Sequence, residues 1–150
     1  MLHLALGGRW MLSSLGFDAF AFVPISAGSV TSQDGSIALR AAVAGVGLLD
    51  DLSPPSAALG VGIDAGFSGT VLLFEGNATA PYRATSGTAW GALPYGGVMA
   101  RYRLTNRTRL RFDGRAGLLM PEPILRVASH DIGTFGRPLV LLSLGLEVSP

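Results

Sequence analysis

The densest run of chemistry-bearing side chains in this sequence is Arg109, Arg111, Asp113 and Arg115, four charges at every second position. That spacing sets all four on one face of an extended strand, where guanidinium and carboxylate groups can pair with each other or grip an anion. Leu110, Phe112, Gly114, Ala116 and Leu118 hold the opposite face. Ser129-His130-Asp131 contains the residue types of a hydrolytic triad. Adjacent residues on an extended segment point to alternate sides, so these three cannot form a proton relay together. His3 and His130 are the only histidines and there is no cysteine, so neither a metal centre nor a disulfide is expected. Gly60-Val61-Gly62-Ile63-Asp64-Ala65-Gly66 superficially suggests a phosphate loop, but it lacks the strand-turn-helix setting and reads as a glycine-rich strand. No catalytic residue and no cofactor is assigned.

Composition narrows the surroundings in which these charges sit. Of 150 residues 49% are apolar and 14% charged, with a mean hydropathy of +0.45, which leaves few charges to cover a water-facing surface. All eleven basic residues are Arg; the formal net charge of +1 and the lack of a basic cluster argue against a nucleic-acid partner. Twenty-one Gly and nine Pro favour turns and close strand approach over long helices. The longest charge-free segment, Ala84 to Ala100, contains four Gly and a Pro and cannot be a membrane-spanning helix. Only strands could span a bilayer here.

A period of two runs through most of the chain and marks seven strands, near Leu2–Gly7, Ser14–Val23, Ser36–Leu49, Ala57–Phe74, Ala92–Leu104, Thr108–Leu119 and Leu139–Val148. Their connections alternate in length. Gly8–Ser13, Asp50–Ser56 and Thr105–Arg107 are short, whereas Pro24–Gly35, Glu75–Gly91 and Met120–Pro138 are long and rich in Pro and Gly. Short turns at one end and long loops at the other are the habit of outer-membrane barrels, which normally have an even number of strands. Seven is odd, and Met1-Leu2-His3-Leu4-Ala5-Leu6 lacks the basic start of a secretory leader. Both features lead to the expectation that a leader and one strand precede this sequence. Ile124–Ile132 is the alternative eighth strand.

Face assignment tests where the charges go. Val140, Leu142, Leu144, Leu146 and Val148 oppose Ser143, Gly145 and Glu147, and Leu59, Val61, Ile63, Ala65 and Phe67 oppose Gly60, Gly62, Asp64, Gly66 and Ser68. Leu15, Phe17, Ala19, Ala21 and Val23 oppose Asp18, and Ile37, Leu39, Ala41 and Val43 oppose Arg40. His3, Asp18, Arg40, Asp64, Arg101, Arg103, Arg109, Arg111, Asp113, Arg115 and Glu147 therefore share one face with Gly, Ala and Ser, which suit a narrow lumen filled by side chains. The apolar face is assigned to lipid. Across the Thr105–Arg107 turn, Arg103 should lie opposite Arg109 and Arg101 opposite Arg111, a repulsive arrangement unless carboxylates intervene. Glu147 should sit beside Arg109 or Arg111, so the expected constellation is an internal ion-pair network, with an anion-contacting basic mouth as the alternative. Trp10, Tyr102, Trp90 and Tyr95 fall where interfacial aromatic girdles would be.

This rhythm, closing on Pro138-Leu139-Val140-Leu141-Leu142-Ser143-Leu144-Gly145-Leu146-Glu147-Val148, resembles small bacterial outer-membrane β-barrels of the eight-stranded outer membrane protein A type. The resemblance implies an all-β, antiparallel up-and-down (meander) transmembrane β-barrel of about seven to eight strands. It implies one domain, a monomer in the bacterial outer membrane, and membrane lipid and the outer-membrane assembly machinery as partners. The role would be structural, adhesive or one of surface interaction, without catalysis. Members of that family usually finish on an aromatic residue, whereas this chain finishes Val148-Ser149-Pro150. A soluble lipocalin-like barrel around a small lipophilic ligand is the second reading, and an outer-membrane lipid-modifying enzyme the third.

Overall fold

Alternation without helix-forming periodicity dictates strands, and the structure, a computed structural model, contains no helix among the residues it describes. These are residues 1–32, 35–54, 56–78, 86–127, 130–134 and 136–148. The elements are β1 (His3–Leu12), β2 (Leu15–Pro24), β3 (Gly28–Ser32), β4 (Gly35–Asp51), β5 (Leu59–Ala78), β6 (Ser86–Arg103), β7 (Thr108–Gly117), β8 (Ile124–Val127), β9 (His130–Thr134) and β10 (Leu139–Val148). Every pairing is antiparallel, and the wall runs β1-β2-β4-β5-β6-β7-β10 in chain order. β3 folds back on the upper part of β4. β8 and β9 pair with each other as a separate two-stranded sheet, so the segment weighed as an eighth wall strand is an excursion of the last long loop.

Several strands are longer than the sequence pattern suggests, and the difference matters at β1. Its alternation continues through Gly8 to Leu12, leaving only Ser13 and Ser14 as the turn into β2. Ser13 adopts φ 71°, the left-handed conformation that two-residue hairpins favour because its twist matches that of the flanking strands. Gly8–Ser13 is thus mostly strand, and Arg9 faces inward beside Asp18 rather than lying in a turn.

The sheet curls into an incomplete barrel, bringing Arg115 of β7 against Asp18 of β2 and Asp64 of β5. Its outer surface is apolar on every wall strand: Leu6, Phe17, Leu48, Phe67, Val98, Phe112 and Leu144 are all exposed, Phe67 to 70% and Leu144 to 69%. The total accessible surface of 9154 Å² exceeds the roughly 7,200 Å² expected of a water-soluble monomer of this mass.

Inside, the lumen divides along its length. Toward the long loops it is an apolar core, with Phe20, Phe22, Val43 and Tyr95 in one cluster and Ala41, Leu72, Leu93 and Leu119 in another. Toward the short turns it holds the buried charges Asp18, Asp64, Arg101, Asp113 and Arg115. This corrects two assignments. In β4 the residues Ile37, Leu39, Ala41 and Val43 face inward and Arg40 is exposed on the outside, because the strand keeps one phase along its whole length. Tyr95 is buried in the lumen rather than set in an outer aromatic girdle, whereas Trp10, Trp90 and Tyr102 are exposed on the outer face.

Candidate functional site

Cross-strand register positions the charge network. β6 and β7 pair so that Arg103 lies opposite Arg109 and Arg101 opposite Arg111, as the short turn predicts, and β10 sets Glu147 opposite Arg109. Like charges at these pairs would destabilise the sheet unless the curl supplied carboxylates from distant strands. Carboxylates reach three of these four arginines: Asp51 meets Arg101, Glu147 meets Arg109, and Asp18 and Asp113 meet Arg111.

Arg115 is the hub. Its Nε donates to Asp64 Oδ2 at 2.7 Å and its Nη2 to Asp18 Oδ2 at 2.5 Å, and its side chain is only 3% exposed. The same guanidinium lies 4.2 Å from the centre of the Phe20 ring, on the boundary between the charged and apolar halves. Arg111 donates from Nε to Asp113 Oδ1 at 2.8 Å and from Nη2 to Asp18 Oδ1 at 3.3 Å. Ser143 on β10 donates its hydroxyl to Asp113 Oδ2 at 3.3 Å. Arg101 is held by Asp51 at the β4 end. Glu147 serves Arg9, Arg109 and Arg111 together at 3.6, 3.9 and 4.0 Å. Among the described residues five Arg (9, 101, 109, 111 and 115) thus meet five acids (Asp18, Asp51, Asp64, Asp113 and Glu147), equal numbers of opposite charge.

Glycine makes room for this network. A side chain on Gly97 would collide with Asp64 Oδ1 and with Arg115 Cγ, and one on Gly66 would come within 2.9 Å of the Tyr95 hydroxyl. Small residues on the inward face of β5 and β6 are therefore the steric condition for burying long charged side chains opposite them.

Of the residues singled out from sequence, Asp18, Asp64, Arg101, Arg109, Arg111, Asp113, Arg115 and Glu147 converge in the lower lumen. Arg40 stands apart on the outer surface and Arg103 is exposed at the short-turn rim. His3 donates from Nε2 to the Ala41 carbonyl, 2.8 Å away, and stands edge-on to Phe22, a packing role at the opposite end. Ser129 lies outside the described residues, as do the side chains of His130 and Asp131. Among the described residues no three metal-ligating side chains converge. Two members of the network are absent from the sequence-derived set: Arg9 and Asp51, both assigned to turns. Unbroken alternation of Gly7, Arg9 and Met11 against Leu6, Trp10 and Leu12 was the available signal for the first.

One gap interrupts the wall. Between β1 and β10 a crevice of about 470 Å³ opens onto the network, lined by Gly7, Arg9, Asp18, Arg111, Ser143 and Glu147 among others. Arg9 projects into it with Nη2 directed at the thioether of Met99 and Nη1 ion-paired to Glu147 Oε2 at 3.6 Å, longer than a hydrogen bond, while Nε has no hydrogen-bond acceptor. Such buried, unsatisfied polar atoms are rare in folded proteins because each forfeits its interactions with water. No protein-family profile matches the chain, and no curated protein or solved structure is significantly similar to it.

Proposed function

We propose that this chain is the wall of a bacterial outer-membrane β-barrel, monomeric and non-enzymatic, with a structural, adhesive or surface-interaction role. Membrane lipid would cover its outer face, and the outer-membrane assembly machinery would insert it. The observation that carries this reading is the inversion of polarity: leucines and phenylalanines are exposed around the outside while Asp18, Asp64, Asp113 and Arg115 are buried within. In water that arrangement exposes a continuous apolar surface far larger than soluble monomers carry. In a bilayer it is the low-energy arrangement for the outer side chains, and the strands satisfy each other's backbone groups everywhere but along the outer edges of β1 and β10. Wall strands of ten residues or more have the reach that a tilted crossing requires.

The lumen filled by its own ion pairs and apolar core argues against a porin-like channel and in favour of a plugged barrel. Charge balance within the cluster likewise favours an internal network over a basic mouth for free anions. A soluble lipocalin-like barrel would need a predominantly apolar pocket, whereas the crevice here sets five arginines and three carboxylates beside apolar residues such as Met11, Phe20 and Phe22. A lipid-modifying enzyme would need a histidine near the acids; His3, the histidine whose side chain is described, instead contacts the Ala41 carbonyl among apolar residues.

Electrophoretic mobility of the detergent-refolded chain, boiled against unboiled, tests the reading. A heat-dependent shift is expected, because a lipid-embedded barrel resists dodecyl sulfate until heated. A chain that stays monodisperse in plain buffer and shows no shift would overturn it and restore the soluble barrel.

A further inference from the structure

At the short-turn end of the lumen the match between arginines and carboxylates breaks down. Arg101 and Arg103 share one face of β6, and the register sets Arg109 of β7 directly opposite Arg103. Side chains rooted about 5–7 Å apart in this way can converge on one point. Asp51 holds Arg101 and Glu147 lies 3.9 Å from Arg109, but among the described residues no carboxylate pairs with Arg103. The equal numbers of opposite charge that argue against free anions deeper in the lumen therefore do not extend to this rim.

All three arginines line a notch of about 10 Å³ whose remaining wall is Gly60 and the turn from β4 into β5. That is room for one atom the size of a water oxygen. Arg101 Nε is buried there without a hydrogen-bond acceptor, in a side chain only 7% exposed, a condition that folded proteins rarely leave uncompensated. Gly60, opposite Arg101 on β5, keeps the adjoining space open: a Cβ there would lie 3.3 Å from Arg101 Nε and 3.1 Å from its Nη2. These dimensions define an occupant with one acceptor atom inside the notch and others at the rim beside Arg103. A tetrahedral phosphate directs its oxygens several ways and meets both demands, whereas a planar carboxylate presents two oxygens suited to a single guanidinium fork. The one unpaired arginine is matched by one negative charge.

We propose that this notch is a binding site for a singly charged phosphate group, with one oxygen accepting from Arg101 inside it and the others facing Arg103 and Arg109 at the rim. Inorganic phosphate at mildly acidic pH supplies such a group, and so does the diester of a lipid headgroup at the short-turn boundary of the wall. The site goes beyond the membrane reading and does not rest on it; only the lipid source does.

The test uses the whole 150-residue chain refolded in a neutral detergent at about pH 5, below the second ionisation of phosphate. Nitrogen NMR reads the Nε–H signals of Arg101 and Arg103 as inorganic phosphate or acetate is added at equal ionic strength. Saturable shifts of both signals are expected, with half-saturation at a phosphate concentration about tenfold below that of acetate, the effect of one further charge-assisted hydrogen bond. Arg103→Gln should raise the phosphate value about tenfold for the same reason. Gly60→Ala should raise it too, by narrowing the notch while leaving every charge in place. Bilayer discs of a phosphate-free galactolipid, with and without phosphatidylglycerol, separate the two sources. Signals already shifted by phosphatidylglycerol and insensitive to added phosphate identify the lipid diester as occupant; signals that still respond identify the free ion. Equal response to phosphate and acetate, shifts that never saturate, or unchanged affinity in Arg103→Gln would each overturn the proposal. The detergent titration reads the same whether or not the heat-dependent shift appears, so failure of the site and failure of the membrane reading are separable.

Discussion

Toward the long loops, Leu72, Leu93 and Leu119 are buried against Ala41; further along β5, and on β2 and β7, Asp64, Asp18 and Asp113 surround Arg115 and Arg111. Both ends of the lumen are built on one alternating pattern, yet they respond to damage by different physics. Loss of a side chain from the apolar end leaves a cavity, and its cost scales with the volume left empty. Loss of one ion from the charged end leaves its partners desolvated and unpaired, which costs more than the pair contributes when intact. The charged end is therefore the more brittle, and Arg115, stacked over Phe20 with two carboxylates below it, is where the two regimes meet.

The largest effect should come from Arg115→Met, which strands Asp18 and Asp64 and is expected to destabilise the refolded chain by about 3–5 kcal/mol in urea titration followed by fluorescence. Pairing it with Asp18→Leu and Asp64→Leu should recover much of that loss. If the triple variant is instead weaker than the single one, the charged end is held together by attraction rather than merely by mutual compensation. At the apolar end Leu72→Ala should cost about 2–5 kcal/mol, with no rescue from any change in the charged half. On the outer wall, Leu142→Arg should cost about 2–4 kcal/mol in bilayers, where that site would lie near the midplane. In the soluble alternative the same change should improve solubility at little cost, so vesicle and buffer measurements would disagree in sign. Smallest of all is Arg40→Gln. Stability indistinguishable from the parent is expected, and a loss as large as that of Arg115→Met would mean that Arg40 belongs to the network after all.

How much of this was legible in advance varies by strand. β7 and β10 are recoverable to within two residues because charged and apolar positions alternate along β7 and one face of β10 is apolar throughout, and the Arg101–Arg111 and Glu147–Arg109 pairings follow from a short turn and a two-residue period. β4 was legible in its extent but not in its phase at the upper end. Ile37, Leu39, Ala41 and Val43 look like an outer face, whereas Gly45 and Gly47 opposite Val46 and Leu48 reveal that odd positions point inward throughout. Arg9 and Asp51 escaped notice because Gly8 and the paired Asp50 and Asp51 resemble turn signals, and glycine is equally at home on the crowded inward face of a curled sheet.

Alternation in the sequence by itself determined an antiparallel strand meander and the existence of two chemically opposed faces, since period two leaves a side chain no other choice of direction. Which distant carboxylate neutralises which arginine, and the division of one lumen into an apolar and a charged end, were decided only by the tertiary curl. These features depend on how far the sheet bends before strands far apart in sequence meet, and backbone bending summed over seven strands is not written in the period of any one of them.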